Sequence, residues 1–281
     1  MSLAIRPFLL VLLALAGCGT SGTDGGSDLA LAGDLSTVAD LAQAGLLGFV
    51  TLSSTSQPAR GFANATFLPD GPAFACAAQN FGPCTFYSCH APPPTESDGG
   101  SGPAANAGAI DVGGGSQAIH FAPRADGTYD PLTLTGAVWS GGEMLTVDAA
   151  GNAVPFFHGA IAAPRLATVG APGLPASDWM VDRTIDLAFT WSGVSSEKLL
   201  VSFGSNSADP IEVECVFTGS DGAGTVPAAS LALLPAGSGY FQVVSRGEDT
   251  LQAGPWQVRF RADADALAPD GTPFNGGAQF Q

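Results

Sequence analysis

The chain has 281 residues, and its 38 Gly and 21 Pro together make 59 of them, about 21 %, against roughly 12 % in average proteins; long uninterrupted helices are disfavoured. Charged residues are only 12 % of the total, and 25 acidic side chains face 9 basic ones for a formal net charge of −16, so nucleic acid is not an expected partner. A hydrophobic share of 46 % excludes a wholly disordered chain and suffices for one or two domains with real cores. At the N-terminus Arg6 precedes the apolar run Phe8 to Ala16, which Gly17 and Cys18 close. That run is far short of the roughly 20 apolar residues that span a bilayer, and residues 1–17 read as an export signal.

Residues 18–46 run from Cys18 through a stretch rich in Gly, Ser and Thr and continue with Asp-Leu pairs at 28–29, 34–35 and 40–41. A step of six residues turns a helix by about 600° and puts successive leucines on different faces. The segment is therefore expected to be a flexible tether; the alternative is a short docking helix over Leu29 to Leu47, favoured by its Ala and Leu content. Leu15-Ala16-Gly17-Cys18 resembles the lipobox of bacterial lipoproteins, and the Asp-Leu pairs behind it resemble the tethers of myxobacterial lipoproteins. The resemblance implies that Cys18 carries a diacylglycerol thioether, becomes the first residue after cleavage and is N-acylated, with the membrane as a partner through covalent lipid. Three acyl chains make such an anchor stable where one would bind only marginally. Gly19 in place of an Asp implies, by the same resemblance, the outer membrane, at its periplasmic face or the cell surface. Loss of residues 1–17 removes one Arg and no acid, leaving 8 basic and 25 acidic side chains, a formal −17. The resemblance covers about 45 residues and implies no activity.

Beyond residue 47 the apolar period becomes two, the signature of half-buried antiparallel strands. Phe49, Thr51 and Ser53 alternate with Val50 and Leu52; short strands are expected at Ala118–Phe121 and Met144–Val147. The clearest alternations follow: Ile185, Leu187, Phe189 and Trp191; Ile211, Val213, Cys215 and Phe217; Trp256, Val258 and Phe260. Turn signals recur at spacings typical of β-sandwiches, and a Pro-rich stretch from Ala163 to Pro175 separates two halves. The expected fold class is all-β: antiparallel β-sandwiches, two of them, over 47–165 and 166–281. With Trp191 on an early strand, Cys215 on a later one and Pro227 before Leu231, the second half resembles immunoglobulin-like or fibronectin-type sandwiches, although its single Cys cannot form their inter-sheet disulfide. The competing arrangement is one continuous sandwich.

With Cys18 committed to lipid, Cys76, Cys84, Cys89 and Cys215 remain. The close spacing of the first three predicts a local disulfide in the first half, and all three pairings of Cys76, Cys84 and Cys89 are open. Cys215, among Val213 and Phe217, is expected to be a buried free thiol acting as a small hydrophobe, the alternative being a bond to the leftover Cys. Zinc at Cys76, Cys84, Cys89 and His90 is disfavoured, because the paired short spacings are missing and exported thiols oxidise. No cofactor is expected.

His120 and His158 read as edge or turn residues. No nucleophile elbow, zinc-protease helix, Walker loop or dinucleotide fingerprint occurs. Asp263, Asp265 and Asp270, or Asp126 and Asp130, could surround calcium, yet neither set has the offsets of an EF-hand. Trp139 and Trp179, beside turns, are the candidate ligand-stacking aromatics, with core packing as the alternative. The expected function is a non-enzymatic, lipid-anchored adhesion or ligand-binding module of the cell envelope, its ligand a polysaccharide or an envelope protein; the alternatives are a carbohydrate-binding accessory protein and an unrecognised extracellular hydrolase.

Overall fold

The computed structural model describes residues 46–56, 59–69, 75–90, 104–175, 177–206 and 211–281. The export signal, Cys18 and residues 19–45 lie outside the described residues, as does the side chain of His90. The described chain is all-β and is built on three sheets. The largest has eleven strands. From edge to edge it runs β3 (Ala75–Phe81), β4 (Cys84–His90), β14 (Ile211–Thr218), β13 (Lys198–Ser205), β16 (Gly237–Ala253), β17 (Trp256–Asp265), β1 (Leu47–Ser56), β2 (Ala59–Leu68) and β7 (Leu132–Thr135). β18 (Asn275–Phe280) pairs with the first part of β16, and β11 (Trp179–Val181) pairs with β18.

Two smaller sheets cover one face of the large one. A four-stranded sheet, β6 (Ile119–Phe121), β5 (Ile110–Gly113), β8 (Met144–Ala149) and β9 (Phe157–Ala162), closes a first core with Val50, Leu52, Phe67, Trp256 and Phe260. A three-stranded sheet, β10 (Thr168–Ala171), β12 (Leu187–Ser192) and β15 (Ala223–Val226), closes a second core with Phe203, Val213, Phe217, Phe241 and Phe274. A four-residue helix, α1 (Ala228–Leu231), buries Leu231 in the second. The architecture is two β-sandwiches under one continuous sheet.

The 17-residue strand β16 is what joins them. Side chains alternate along a strand, and odd-numbered residues of β16 face inward throughout: Phe241 and Val243 enter the second core, while Leu251 and Ala253 meet the first. A cut at 165/166 therefore separates strands that pair. β17, from the second half, lies parallel to β1 and completes the first sandwich; β3 and β4, from the first half, extend the second through β14. Periodicity reveals which residues face inward, but a strand's partner depends on contacts up to 210 residues away.

The inward sets Val50/Leu52, Phe189/Trp191, Val213/Cys215/Phe217 and Trp256/Val258/Phe260 lie as their alternation predicts. Ile185 does not: it is 57 % exposed and precedes β12. Asp182 accepts hydrogen bonds from the amide and hydroxyl of Thr184, and that turn holds the chain off the sheet until Leu187. Trp191 donates from Nε1 to the Gly219 carbonyl at 2.7 Å and stacks near Phe217. It sits over the large sheet much as a sandwich tryptophan should.

Candidate functional site

The cysteines report the compartment. Register places Cys76 opposite Cys89 and Cys84 opposite Cys215, and both pairs are bonded. Of the three local pairings left open, Cys76–Cys89 is the one formed. The expected free thiol at Cys215 is corrected: it is bonded to Cys84 because β4 docks beside β14, a contact between residues 131 apart that no local spacing reveals. The bond lies within one sheet, so it is not the inter-sheet bridge of immunoglobulin domains. The thiolates a zinc site would need are consumed. Disulfides persist in oxidising compartments, which makes the folded body extracytoplasmic.

The face of the eleven-stranded sheet turned away from the two smaller sheets holds the most strongly shifted titratable groups among the described residues. Even-numbered residues of β16 and odd-numbered residues of β17 project there, and with Glu212 and Glu214 of β14 they form a charged network. Arg246 donates to both oxygens of Asp263, from Nε at 2.6 Å and from Nη2 at 3.2 Å, and its Nη1 lies 4.0 Å from Glu214. Arg261 Nε lies 3.3 Å from Asp263 without forming a hydrogen bond. Lys198 Nζ donates to Glu248 at 2.9 Å, and Asp265 accepts from Gln242 and Asn275. Gly204 lets the chain accept Tyr240, whose ring occupies the space a Cβ would need. Tyr240 and Tyr87 thus flank Glu212, one through Gly204 and the other directly opposite on β4.

Burial governs the protonation of this face. It pushes Glu212 up to about 8, helped by the negative charge of Glu214. Burial also raises Glu214, against the pull of Arg246 and Arg261. Asp265 is pushed up to about 6 by burial, and Tyr87 to about 12 by burial and then Glu214. Burial works against the charge of Arg246, but Asp263 outweighs it and holds the guanidinium protonated. A raised carboxyl beside a second carboxyl is what a general acid needs. Glu212, however, exposes only 7 % of its surface, with Tyr87 opposite it on β4 and Tyr240 beyond Gly204.

A second polar constellation is open to solvent. On the outer face of the four-stranded sheet His120, Asp111, Asp148 and His158 are successive cross-strand neighbours, one from each strand. His120 Nδ1 lies 2.7 Å from Asp111 Oδ1 and His158 Nδ1 lies 2.6 Å from Asp148 Oδ1. All four side chains are more than half exposed. Like charges directly opposite are unfavourable, so each aspartate of the central pair is held by its own imidazole. Read singly, His120 and His158 gave no signal; the alternating Asp111-Val112 and Asp148-Ala149 patterns would have placed the acids outward, but only the strand order aligns all four. Among the described residues no group of three or more His, Cys, Asp or Glu is arranged to hold a metal ion.

The proposed calcium ligands have other work. Asp263 pairs with Arg246, Asp130 with Arg124, and Asp126 and Asp270 accept from Thr128 and Thr272. The candidate stacking aromatics are corrected as well. Trp139 is 4 % exposed and donates from Nε1 to the Pro164 carbonyl at 2.9 Å. Trp179 is half-buried, its ring centre 4.9 Å from Phe241 in an edge contact and within about 6 Å of Phe189, Phe203 and Phe274. Both lie beside turns, and the turns fold the indoles back onto the cores. Tyr129 and Phe157 are buried too, whereas Phe156 is exposed.

No protein family matches the chain, and no curated relative does. Among solved structures, it is similar to the chain of "Structural insight into host cell surface retention of a 1.5-MDa bacterial ice-binding adhesin", with 10 % identity, a TM-score of 0.20 and 79 % of this chain covered. This chain spans 65 % of that one. It is also similar to that of "Crystal structure of tetra-tandem repeat in extending region of large adhesion protein", at 12 % identity and a TM-score of 0.21, covering 82 % of this chain and 74 % of that one. At these scores the likeness carries no functional argument.

Proposed function

We propose that the chain is a non-enzymatic adhesion or ligand-binding module of the cell envelope, held to the outer membrane by lipid on Cys18. The observation that carries this reading is the way the tethered end enters the fold. β1 is an interior strand, paired in parallel with β17 over Leu47 to Ser54 and in antiparallel with β2 over Leu47 to Ser56. Inter-strand hydrogen bonds lie across the strand axis. Tension arriving from the N-terminal side along β1 therefore strains many of them together, where an edge strand could be peeled off bond by bond. A module that grips a surface while its anchor is pulled benefits from that geometry, and a hydrolase gains nothing from it. The two disulfides support the same reading by bracing β3, β4 and β14.

The row His120, Asp111, Asp148 and His158 is the ligand-facing surface in this reading. It offers two adjacent carboxylate acceptors flanked by two imidazoles, suited to the hydroxyl groups of a polysaccharide or to polar side chains of an envelope protein. The test is retention of the Cys18→Ser chain on insoluble polysaccharides and on envelope fractions, with Asp111→Ala/Asp148→Ala beside it. Retention that falls severalfold in the double variant supports the proposal; retention that is absent, or unchanged by the variant, removes it. Palmitate labelling that persists in Cys18→Ser would refute the anchor separately.

A further inference from the structure

The edges of the three sheets are not equally protected. β7, β6, β11, β10 and β15 have three or four residues each, and β9 lies against β16; short or covered edges are the ordinary defence against pairing with another chain. β3 is different. It has seven residues and pairs with β4 on one side, and nothing among the described residues pairs with the other. Its sequence, Ala-Cys-Ala-Ala-Gln-Asn-Phe, has no charge and no Pro, and its register with β4 runs without a bulge from Ala75 to Phe81. Ala77, Ala78, Gln79 and Asn80 are exposed, and the Cys76–Cys89 bond pins the strand to the sheet.

The turn decides which backbone groups are free. Gly82 and Pro83 form a two-residue hairpin loop, Gly82 with φ 60°, and the flanking Phe81 and Cys84 exchange both of their bonds. Bonded and non-bonded pairs alternate along an antiparallel ladder. Phe81, Gln79 and Ala77 therefore turn their N–H and C=O groups to β4, while Cys76, Ala78 and Asn80 turn theirs outward. The surroundings are uncharged as well. Residues 71–95 contain no Asp, Glu, Lys or Arg, the longest such run in a chain with 25 acidic and 9 basic side chains. The next longest, 222–245, includes α1, which lies against β3 and β4. Two bodies with a formal charge of −16 repel each other, and along this flank they approach with the fewest like charges.

We propose that β3 is a pairing edge for a second copy of this chain, antiparallel about a two-fold axis at Ala78. A strand paired this way is complementary to itself. Ala78 meets Ala78, and Cys76 of each copy meets Asn80 of the other, so every outward N–H finds an outward C=O. No like charges face each other, only methyl groups meet at the axis, and the two eleven-stranded sheets become one. Seven residues a side fall short of the roughly 20–30 of a standard interface, which puts the dissociation constant in the micromolar range, about 1–100 µM. The pair presents the His-Asp row of the four-stranded sheet twice. The inference holds whether or not Cys18 carries lipid and whatever that row binds.

The test uses the full chain from Cys18, with Cys18→Ser for solubility and both disulfides formed. Sedimentation equilibrium from about 1 µM to about 1 mM should show monomer and dimer in exchange. Ala78→Pro removes an outward N–H and no bond to β4, as an edge strand tolerates. Ala78→Lys and Ala78→Glu each set like charges face to face across the axis. All three should raise the dissociation constant at least about tenfold, with near-UV circular dichroism checking that each body is intact. An equimolar mixture of the Lys and Glu variants should pair again, which a merely distorted β3 would not do. Hydrogen exchange of the peptide that covers β3 should slow severalfold between the lowest and the highest concentration. A monomer at the highest concentration overturns the proposal: slow exchange throughout then means that the chain covers its own edge, and fast exchange that the edge is open to a different strand. A dimer that Ala78→Pro and the charged variants leave unchanged lies on another surface and overturns it too. So do charged variants that fail to pair on mixing, since the axis is then not at Ala78.

Discussion

Replacing Asp263 with Ala removes the carboxylate that serves two buried guanidinium groups. Arg246 loses both of its hydrogen bonds to Asp263, and Arg261 loses its 3.3 Å contact. Breaking one side of a buried ion pair costs about 3–5 kcal/mol; Glu214, 4.0 Å from Arg246, softens the loss, so about 3 kcal/mol is expected. For a folded body of this size, 1 kcal/mol corresponds to roughly 2–4 °C in Tm, which puts the fall at about 6–12 °C. The companion variant Asp263→Ala/Arg246→Met should recover a large part of it, because an apolar pair of similar volume often replaces a buried ion pair at little cost. Scanning calorimetry of the three chains at one pH and salt concentration reads both numbers. A single variant within about 1 kcal/mol of the parent, the size of an exposed pair, would show the network to be surface decoration. A double variant less stable than the single would refute the account of why the charge is costly.

Protonation of the same face makes stability depend on pH in an unusual direction. Glu212 is raised from an ordinary glutamate value to about 8 in the folded chain, so the folded state holds a proton that the unfolded state has released. Stability should decline as pH rises from about 4.5 to 8, with Asp265, raised to about 6, adding to the decline at the acid end. Urea midpoints across that range measure it, and Glu212→Gln should flatten the slope; an unchanged slope counts against the assignment. The Cys84–Cys215 bond closes a loop of 131 residues and Cys76–Cys89 one of 13. In the chain-entropy view Cys84→Ala/Cys215→Ala should cost about 4–5 kcal/mol and Cys76→Ala/Cys89→Ala about 3; equal losses in urea unfolding would say that native packing dominates. Trp139→Ala should cost about 3–5 kcal/mol as a core truncation, visible in thermal melts, and wild-type stability with weakened polysaccharide retention would restore it as a surface residue.

The inward faces of β12, β14 and β17 were legible because alternation is a property of neighbours in sequence. Trp191, Val213 and Phe260 point where their strands' patterns put them. The buried network was less legible. Arg246 and Asp263 face each other on adjacent strands β16 and β17, and a hairpin reading could have paired them, but Glu214 joins them only because β14 lies two strands away in the sheet. The His-Asp row needed four strands in a given order, and Trp139 and Trp179 needed the path of each turn.

Composition, charge and periodicity by themselves determined that this is an acidic, all-β chain rich in turns, since each of those properties is a sum over residues or a relation between near neighbours. Tertiary structure alone decided that two sandwiches share one sheet, that Cys215 is bonded rather than free, and that the aromatic candidates are core. Those outcomes rest on contacts such as β1 with β17 and β4 with β14, between segments more than 100 residues apart. Many partners satisfy the same local pattern, and the burial of whole faces selects among them.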